Sequence, residues 1–532
     1  MLDLLIRNGF VVDGTGKPGF AADVGIKDGR IVALGKVDEP AARVLDADGC
    51  AVAPGFIDIH SHTDEMVLAN PRCESKSTQG VTLEVSGNCG DSSAPRGGKQ
   101  PHTDGSSWLK ECGITASWRS MSEFLDVLDS NPMAINFATL VGHGTVREVA
   151  VGYDDRVPTD EELDEMRRLV QEAMEAGAFG VSTGLIYPPG CYASTEEVIE
   201  LCKVAARYRG IYATHMRNEA EAVVEAVEEA LRIGRESGAG VQISHHKACG
   251  VKNWGLVKES LALIDAARAQ GTDVFADQYP YIATSTGLGI MLPNWAHDGG
   301  TKALVARLSD PVQRAAIREA VMQDTEHGYI SASGGWDTVV LSSLKKEHNK
   351  YCEGLSIARI AERLNKHPVD TALDLLLDEG GGIGMMHFVI GEDDVNTVMR
   401  HPAVVIGSDA TARTFEGPMT KGKPHPRAYG TFARVLGKYT RDDGILTLEQ
   451  AVAKMTGMPA RRLGIVDRGT IARSNWADLT IFDPGAIEDT ATFENPVRAA
   501  GGIRYVIVNG EAILEDGAFT GAMPGKVLRH GR

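Results

Sequence analysis

Several apolar runs of this sequence end in residues that can bind a metal ion. Imidazole, thiolate and carboxylate groups are ligands of zinc and similar divalent ions. A single histidine or cysteine in such a place is usually a packed residue, whereas several at the same kind of position indicate a shared site. The residues are His60 and His62 in GFIDIHSH, Cys89 after TLEVSGN, His215 after IYAT, His245 and His246 after VQIS, and Asp409 after VVIGS.

The spacing of the first two histidines favours one pocket. Side chains alternate between the two faces of a strand, so His60 and His62 point the same way and Ser61 points the opposite way. The other candidates also end strand-like runs, and enzymes with parallel barrels place their chemistry at the carboxyl ends of strands. The sequence therefore predicts a metal-dependent enzyme, with these residues around the ion.

The middle of the chain alternates between strand-like and helix-like stretches. Buried-type strands such as VTLEVSG and AGVQISHHK alternate with helical stretches such as TDEELDEMRRLVQEAMEAG and STEEVIELCKVAARYRG. Thr159 and Ser194 precede acidic first turns, as helix N-caps do. This repeated alternation predicts an α/β fold with a parallel sheet, and the number of units favours a (β/α)8 TIM-like barrel over residues 55–465 rather than a doubly wound sheet.

The two chain ends have a different sequence pattern, with short strands of alternating apolar and polar residues and with Asp-Gly or Asn-Gly turns. They predict a small β-sandwich domain formed by both termini, residues 1–54 plus 466–532. The alternation is lost over residues 287–352, which we interpret as an insertion near the barrel mouth. The alternative is one long irregular strand–helix unit.

Charge and cysteine usage exclude several classes of protein. The 532-residue chain has a formal net charge of −18, which disfavours nucleic acid and anionic membranes as partners. It has no apolar run long enough to span a membrane and no signal-peptide pattern at its start. The eight cysteines form no C-x-x-C pair. We therefore expect reduced thiols in a cytoplasmic enzyme.

Several motifs together resemble a known family. They are PGFIDIHSHTD, GVTLEVSGNCG, GVSTGLIYPPG, THMRNE, ISHHK, GSDA and HPRAYGTFARVLG, in this order along nearly the whole chain. They are similar to the amidohydrolase superfamily, in its N-acyl-D-amino-acid deacylase (D-aminoacylase) branch. The cysteine of GNCG is the most specific mark, because most of the superfamily has a carboxylated lysine at that bridging position. The family's fold is a (β/α)8 barrel with a small β domain and an inserted segment near the mouth.

The resemblance implies a role for each motif residue. Cys89, His215 and His245 would hold a tightly bound Zn²⁺, and His60 and His62 would line a second, weaker metal position. Asp409 would be the catalytic acid/base, and Tyr187 would lie near the scissile carbonyl. We prefer His245 over His246 as the ligand, because its position in the alternation at the strand end and the family motif both favour it.

On the substrate side, the resemblance implies a set that binds the free carboxylate of an N-acyl amino acid. This set is Lys247, Tyr279, Ser285 and Arg427. A structural salt bridge is the alternative interpretation of Lys247 and Arg427, and Tyr281 is an alternative to Tyr279. Lys421 and Lys423, in a long segment after Asp409, would suit an acidic substrate side chain.

The function implied is zinc-dependent hydrolysis of N-acyl-D-amino acids to a carboxylic acid and a D-amino acid. The alternatives are a cyclic-amide hydrolase of the dihydroorotase or hydantoinase kind, a dipeptidase on the same scaffold, and a non-catalytic binding protein. Cys89, and the absence of a strand-end lysine before THMR, argue against the cyclic-amide enzymes. A binding protein would be expected to have lost some of the ligands. The acyl group, the side-chain preference and the oligomeric state stay open.

Overall fold

A computed structural model describes residues 1–99, 107–324 and 332–531. Its strands are β1 (Leu2–Val11), β2 (Phe20–Lys27), β3 (Arg30–Gly35), β4 (Ala41–Asp46), β5 (Ala51–Pro54), β6 (Phe56–Asp58), β7 (Val81–Ser86), β8 (Asn136–Thr139), β9 (Val141–Gly142), β10 (Gly180–Gly184), β11 (Ile211–His215), β12 (Gly240–Ile243), β13 (Val274–Gln278), β14 (Ala283–Gly287), β15 (Val339–Ser343), β16 (Gly384–Phe388), β17 (Val404–Ile406), β18 (Leu479–Phe482), β19 (Ile503–Val508), β20 (Glu511–Glu515) and β21 (Ala518–Phe519).

The helices of the described residues alternate with the central strands. They are α1 (Glu74–Ser77), α2 (Ser107–Glu111), α3 (Met121–Asp129), α4 (His143–Ala150), α5 (Asp160–Ala176), α6 (Thr195–Arg207), α7 (Val223–Ser237), α8 (Val257–Ala269), α9 (Gly300–Ser309), α10 (Pro311–Gln323), α11 (Ile357–Leu364), α12 (Pro368–Asp378), α13 (Glu392–Arg400), α14 (Arg427–Arg434), α15 (Leu448–Met455) and α16 (Gly457–Arg462). None of the helices described is both long enough and apolar enough to cross a membrane.

Local sequence signals set the helix ends where the pattern predicts them. The Thr159 side chain accepts a hydrogen bond from the backbone N–H of Glu162, whose carboxylate in turn accepts one from the backbone N–H of Thr159. Ser194 caps α6 in the same way, by accepting from the N–H of Glu197. Gly177 ends α5 with a φ of 118°, a left-handed conformation that favours glycine. Caps of this kind stabilise a helix by about 1 kcal/mol each.

The central strands pair in parallel, which confirms the predicted α/β class. Six of them form a sheet in the order β17-β13-β12-β11-β10-β9, and three form a second sheet in the order β6-β7-β8. The two sheets touch at both edges. β8 continues into β9 after a single residue, and Ser61, beyond β6, forms a parallel bridge with Ala410, beyond β17. The carboxyl ends of both sheets therefore lie at one common rim.

Strands from both chain ends build a single nine-stranded sheet. Its order is β21-β20-β19-β18-β5-β1-β2-β3, and β4 pairs with β1. β5 from the N-terminal segment and β18 from the C-terminal segment are antiparallel neighbours at the centre of this order. Apolar side chains from both segments share one buried cluster, which includes Ile6 and Ile481.

A small antiparallel sheet lies between β13 and β17 in the chain. Its order is β14-β16-β15, and the segment has its own buried cluster of side chains from Leu288 to Met385. The predicted insertion, residues 287–352, falls inside this longer unit, which ends with β16. β14 and β16 bring Ser285 and His387 to the wall of a cavity at the rim of the parallel strands.

Candidate metal centre

The predicted metal ligands come together at the carboxyl ends of the parallel strands. His60 and His62 follow β6, Cys89 follows β7, His215 ends β11, His245 follows β12 and Asp409 follows β17. Their ligand atoms form two groups, and within each group all atoms lie within 4.8 Å of one another. The first group is His60, His62, Cys89 and Asp409, and the second is Cys89, His215 and His245. Since Cys89 belongs to both groups, its sulfur could serve as a ligand in either of two candidate metal positions.

The ligand atoms face one another at close range. The sulfur of Cys89 lies 3.3 Å from Nε2 of His60 and 3.5 Å from Nε2 of His245. Nε2 of His62 lies 3.0 Å from Oδ1 of Asp409. All of these atoms can bind a divalent cation, and their side chains are buried or partly buried. This arrangement suits a metal site better than a packed core.

Three of these residues have an unusual backbone conformation. Cys89, His245 and Asp409 have φ values of 53°, 35° and 52°, in the left-handed region that non-glycine residues rarely adopt. Each such residue costs about 1–3 kcal/mol and persists only where its surroundings hold it. The turns after β7, β12 and β17 thus aim these side chains at the cluster at the expense of local stability.

Two carboxylates that the sequence analysis missed orient the histidines. Nδ1 of His60 donates to Oδ1 of Asp277 at 2.9 Å, and Nδ1 of His245 lies 2.9 Å from Oε1 of Glu219. A carboxylate on Nδ1 leaves Nε2 free to bind a metal, and such pairs are common at metal sites. Asp277 lies in β13, and Glu219 lies four residues after His215. A search for acids near strand ends could have found Asp277.

The cluster stabilises the anionic forms of its acids and the thiol. Burial raises the pKa of Cys89, but the charges of His60 and His245 outweigh burial and hold the pKa well below its usual value. Burial likewise raises the pKa of Asp409, and Arg427 and His245 bring it well below its usual value. For His62, burial lowers the pKa, yet the hydrogen bond to Asp409 raises the pKa to about 10.

The residues present fit a zinc ion. His215 is buried, and neither of its ring nitrogens has a regular hydrogen bond within the described part of the chain. Burial lowers the pKa of this imidazole, which favours the neutral form that binds metals. One thiolate with two imidazoles is a donor set that zinc prefers, and it leaves a position open for other ligands.

A cavity of about 440 Å³ opens beside the cluster and contains the predicted substrate-binding residues. Nζ of Lys247 lies 2.7 Å from a carboxylate oxygen of Glu219, and Nη1 of Arg427 lies 2.7 Å from Oδ2 of Asp409. Both cations therefore form ion pairs within the protein, as the alternative interpretation of structural salt bridges predicts. Both still line the cavity, next to the candidate ligands.

The predicted tyrosines and serine lie in the same wall. The hydroxyl of Tyr279 is buried without a hydrogen-bond partner among the described residues, and the Arg427 guanidinium stacks 4.6 Å from its ring centroid. The hydroxyl of Tyr187 accepts a hydrogen bond from Thr286 at 3.1 Å. Ser285 contacts Arg427 through its backbone carbonyl, at 3.2 Å from Nη2.

The other residues that the sequence left open lie outside the lining of this cavity. Tyr281 packs against His425, and its hydroxyl is 3.5 Å from the carbonyl oxygen of Pro426. His246 is buried and contacts the hydroxyl of Ser260 at 2.9 Å. Lys421 pairs with Glu111 and also lines a second cavity together with His62 and Asp409, and Lys423 donates to the carbonyl of Glu494.

Comparison with known families gives one match over most of the chain. The model of the Amidohydrolase family matches residues 43–514. A second model, the N-terminal domain of the urease alpha-subunit, matches residues 1–55.

Individual relatives match over almost their full lengths. The chain is 39% identical to a D-aminoacylase of Alcaligenes xylosoxydans xylosoxydans, over 99% of this chain and 97% of that protein. It is 38% identical to an N-acyl-D-glutamate deacylase of the same organism, over 99% and 96%. Its structure resembles that of an N-acyl-D-glutamate deacylase from Bordetella bronchiseptica in complex with zinc and a phosphonate mimic of the tetrahedral intermediate. The TM-score is 0.82, with 37% identity and 99% of both chains covered.

Proposed function

This chain belongs to the amidohydrolase family, and on that premise we propose that it hydrolyses the amide bond of N-acyl-D-amino acids. The products are a carboxylic acid and a D-amino acid. The observation that carries the proposal is the position of Cys89, shared by two groups of metal ligands beside Asp409. The same cavity holds Lys247 and Arg427, two cations that suit a substrate with a free carboxylate.

We infer that the central strands close into a (β/α)8 barrel. The bridge between Ser61 and Ala410 and the continuity of β8 with β9 support a closed order that begins and ends at β6. In this proposal residues 55–465 form the barrel and residues 287–352 are inserted near its mouth. Residues 1–54 and 466–532 form the small domain, with the nine-stranded sheet folded as a β-sandwich.

Cys89, His215 and His245 would hold a tightly bound Zn²⁺, and His60 and His62, with Asp409 and the shared Cys89, would line a weaker second position. When bound, zinc supplies a Lewis acid for the amide carbonyl and lowers the pKa of water. Among the chain's own residues, Asp409 accepts the proton of the attacking water and returns it to the leaving nitrogen. Its pairing with Arg427 keeps the carboxylate ionised before the reaction begins.

Tyr187 suits the role of a hydrogen-bond donor to the developing oxyanion. Burial raises the pKa of its phenol well above the usual value, so the hydroxyl keeps its proton. Its ring lies 4.7 Å from that of His215, at the side of the cavity where the reacting carbonyl would lie. A donor of this kind stabilises the transition state by about 3–4 kcal/mol.

The substrate carboxylate would be held by Lys247 and Arg427, with Tyr279 and Ser285 beside them. The buried hydroxyl of Tyr279 has no hydrogen-bond partner among the described residues, which supports a contact with the substrate, because a buried hydroxyl normally has a partner. Tyr279 lies among the cations, where a carboxylate would accept its hydrogen bond.

We expect Tyr279→Phe to raise KM about tenfold and to leave kcat nearly unchanged, because a hydrogen bond to a charged group contributes about 1.5–3 kcal/mol. Thermal stability should not fall, since the hydroxyl has no partner within the described chain. Steady-state kinetics and a melting curve measure both effects. Tyr281→Phe is the matched control and should keep the wild-type KM. An unchanged KM for Tyr279→Phe would argue against its contact with the substrate.

The wall of the cavity favours a neutral substrate side chain. Its apolar members include Ile186, Ile290, Met291, Met385 and Val389. The described lining of the cavity contains one lysine, Lys247, and one arginine, Arg427. Both are assigned to the α-carboxylate of the substrate. The enzyme would thus hold a substrate at three points: its carboxylate, its carbonyl and its side chain. An L-isomer held by its carboxylate and carbonyl would place hydrogen where the D-isomer places its side chain.

The test is release of free amino acid from N-acetyl-D- and N-acetyl-L-amino acids by the zinc-loaded protein, read by chiral chromatography. We expect turnover of D-isomers alone. We also expect kcat/KM for N-acetyl-D-methionine to exceed that for N-acetyl-D-glutamate by at least about tenfold, because burying an unpaired carboxylate is unfavourable. Turnover of cyclic amides or dipeptides, with none of the N-acetyl-D-amino acids, would move the assignment to those enzymes.

A further inference from the structure

A lysine outside the candidate ligands lies at the centre of a buried polar network. Lys76, in α1, is 0% exposed, and its ammonium group contacts three separate parts of the chain. Nζ lies 2.6 Å from Oδ2 of Asp58 and 3.0 Å from Oε1 of Glu84. It also donates to Oγ of Ser408 at 2.7 Å and to the carbonyl of Ala410 at 2.8 Å.

Each partner lies in, or shortly after, a strand that is followed by candidate metal ligands. Asp58 ends β6, two residues before His60, and Glu84 lies in β7, five residues before Cys89. Ser408 directly precedes Asp409. One ammonium group thus joins the three segments that supply the first ligand group.

The partners are in turn bonded across these segments. Asp58 accepts hydrogen bonds from the backbone N–H and the hydroxyl of Ser408, at 2.8 and 2.6 Å. Glu84 accepts from the hydroxyls of Ser61 and Thr63, at 2.7 and 2.8 Å, and these two residues flank His62. The network therefore reaches the residues beside the ligands without using the ligand atoms themselves.

The charges of the network require the lysine. Asp58 and Glu84 are both 0% exposed, and two buried carboxylates without a cation between them would repel each other. Burial lowers the pKa of Lys76, but the charges of Asp58 and Glu84 outweigh burial and raise it. The ammonium group consequently stays charged and holds the two carboxylates at fixed distances.

We propose that Lys76 is a positioning residue that sets the geometry of His60, His62, Cys89 and Asp409 by joining β6, β7 and the segment after β17. This inference rests on the proposed function for its kinetic readout. Its metal-binding readout is independent of any substrate. Lys76 acts through the backbone and side chains of its partners, and it contacts neither the reacting atoms nor the ion.

The test compares Lys76→Met with Lys454→Met. Lys454 is also a buried ammonium, 5% exposed, but it donates to the carbonyls of His401 and Val404, before or at the first residue of β17. It thus lies at the opposite end of β17 from Asp409. Both variants remove a buried ammonium group and keep a long apolar side chain. They differ in their distance from the ligands and in their partners, because Lys76 pairs with two carboxylates and Lys454 donates to two backbone carbonyls.

For Lys76→Met we expect zinc affinity, measured by chelator competition, to weaken about tenfold or more, as for other residues that orient ligands. We expect kcat to fall about 10²-fold with KM nearly unchanged, because small displacements of reacting groups have effects of that size. Lys454→Met should keep the wild-type zinc affinity and kcat, whatever its melting temperature. A folded Lys76→Met protein with wild-type zinc affinity and kcat would overturn the proposal, as would equal losses in both variants.

If Lys76→Met does not fold, two further variants test the role of Lys76. Lys76→Met with Asp58→Asn and Glu84→Gln removes the unpaired charges, so we expect folding to return while zinc affinity and kcat stay low. Ser408→Ala removes the hydroxyl that contacts both Lys76 and Asp58 but leaves all charges in place, so it should weaken zinc affinity less. Wild-type zinc affinity in both variants would overturn the proposal. If the wild-type protein binds zinc but hydrolyses no N-acyl-D-amino acid, the proposed function fails, and zinc affinity alone still decides the role of Lys76.

Discussion

Asp409→Asn is expected to lower kcat by about 10³-fold, the range found when a general acid–base group is removed. The amide that replaces the carboxylate cannot accept the proton of the attacking water or return it to the leaving nitrogen. Asparagine has nearly the same size, so the packing around the 8% exposed side chain should be preserved. The measurement is kcat with N-acetyl-D-methionine, together with zinc content and melting temperature.

The control for this variant is Asp91→Asn. Asp91 lines the same cavity, and its carboxylate accepts a hydrogen bond from the hydroxyl of Thr145 at 3.3 Å. It should keep kcat close to the wild-type value. Because Asp409 also belongs to the first ligand group, the tightly bound zinc must be shown to be present in the asparagine variant. A zinc-loaded Asp409→Asn protein with kcat near the wild-type value would exclude Asp409 as the base.

The second large effect is expected for Cys89→Ser. The Cys89 sulfur belongs to both ligand groups, and a serine hydroxyl is a far weaker zinc ligand than a thiolate. We expect zinc affinity and kcat each to fall by more than roughly 100-fold, beyond the 10–100-fold typical of residues that only orient the ligands. Zinc per chain after dialysis, and kcat with added zinc, measure the two effects.

Cys112→Ser provides the matched control, because Cys112 is a partly exposed thiol outside the ligand groups. This variant should retain zinc and kcat. Full zinc occupancy and normal turnover in Cys89→Ser would show that the sulfur is not needed, and would move the metal site to the histidines and Asp409.

Much of the candidate site was predictable because its residues follow local rules. Strand ends can be located from apolar runs, and parallel strands bring their carboxyl ends to one rim. His60, Cys89, His215, His245 and Asp409 could therefore be predicted together although they are far apart in the chain. Helix starts at Thr159 and Ser194 were predictable for a similar reason, since a cap depends on residues three positions apart.

The small antiparallel sheet was harder to predict. β14 pairs with β16, whose residues lie about a hundred positions later, and β15 lies between them in the chain. Pairings of this length leave no periodic signal in a single sequence, and β14, with the sequence ATSTG, has no apolar run that would mark it as a strand. For this reason residues 287–352 could be recognised only as a segment in which the alternation of strands and helices is lost.

The sequence by itself determined which residue types end the strands, and through them the metal chemistry and the α/β class. Only the tertiary structure decided which partners these residues have. Asp277 is bonded to His60 across 217 positions, and Lys76 to Ser408 across 332. It also placed Tyr279 rather than Tyr281 in the cavity. The physical reason is that a hydrogen bond or ion pair depends on distances of a few ångströms, which folding sets and local sequence patterns do not encode.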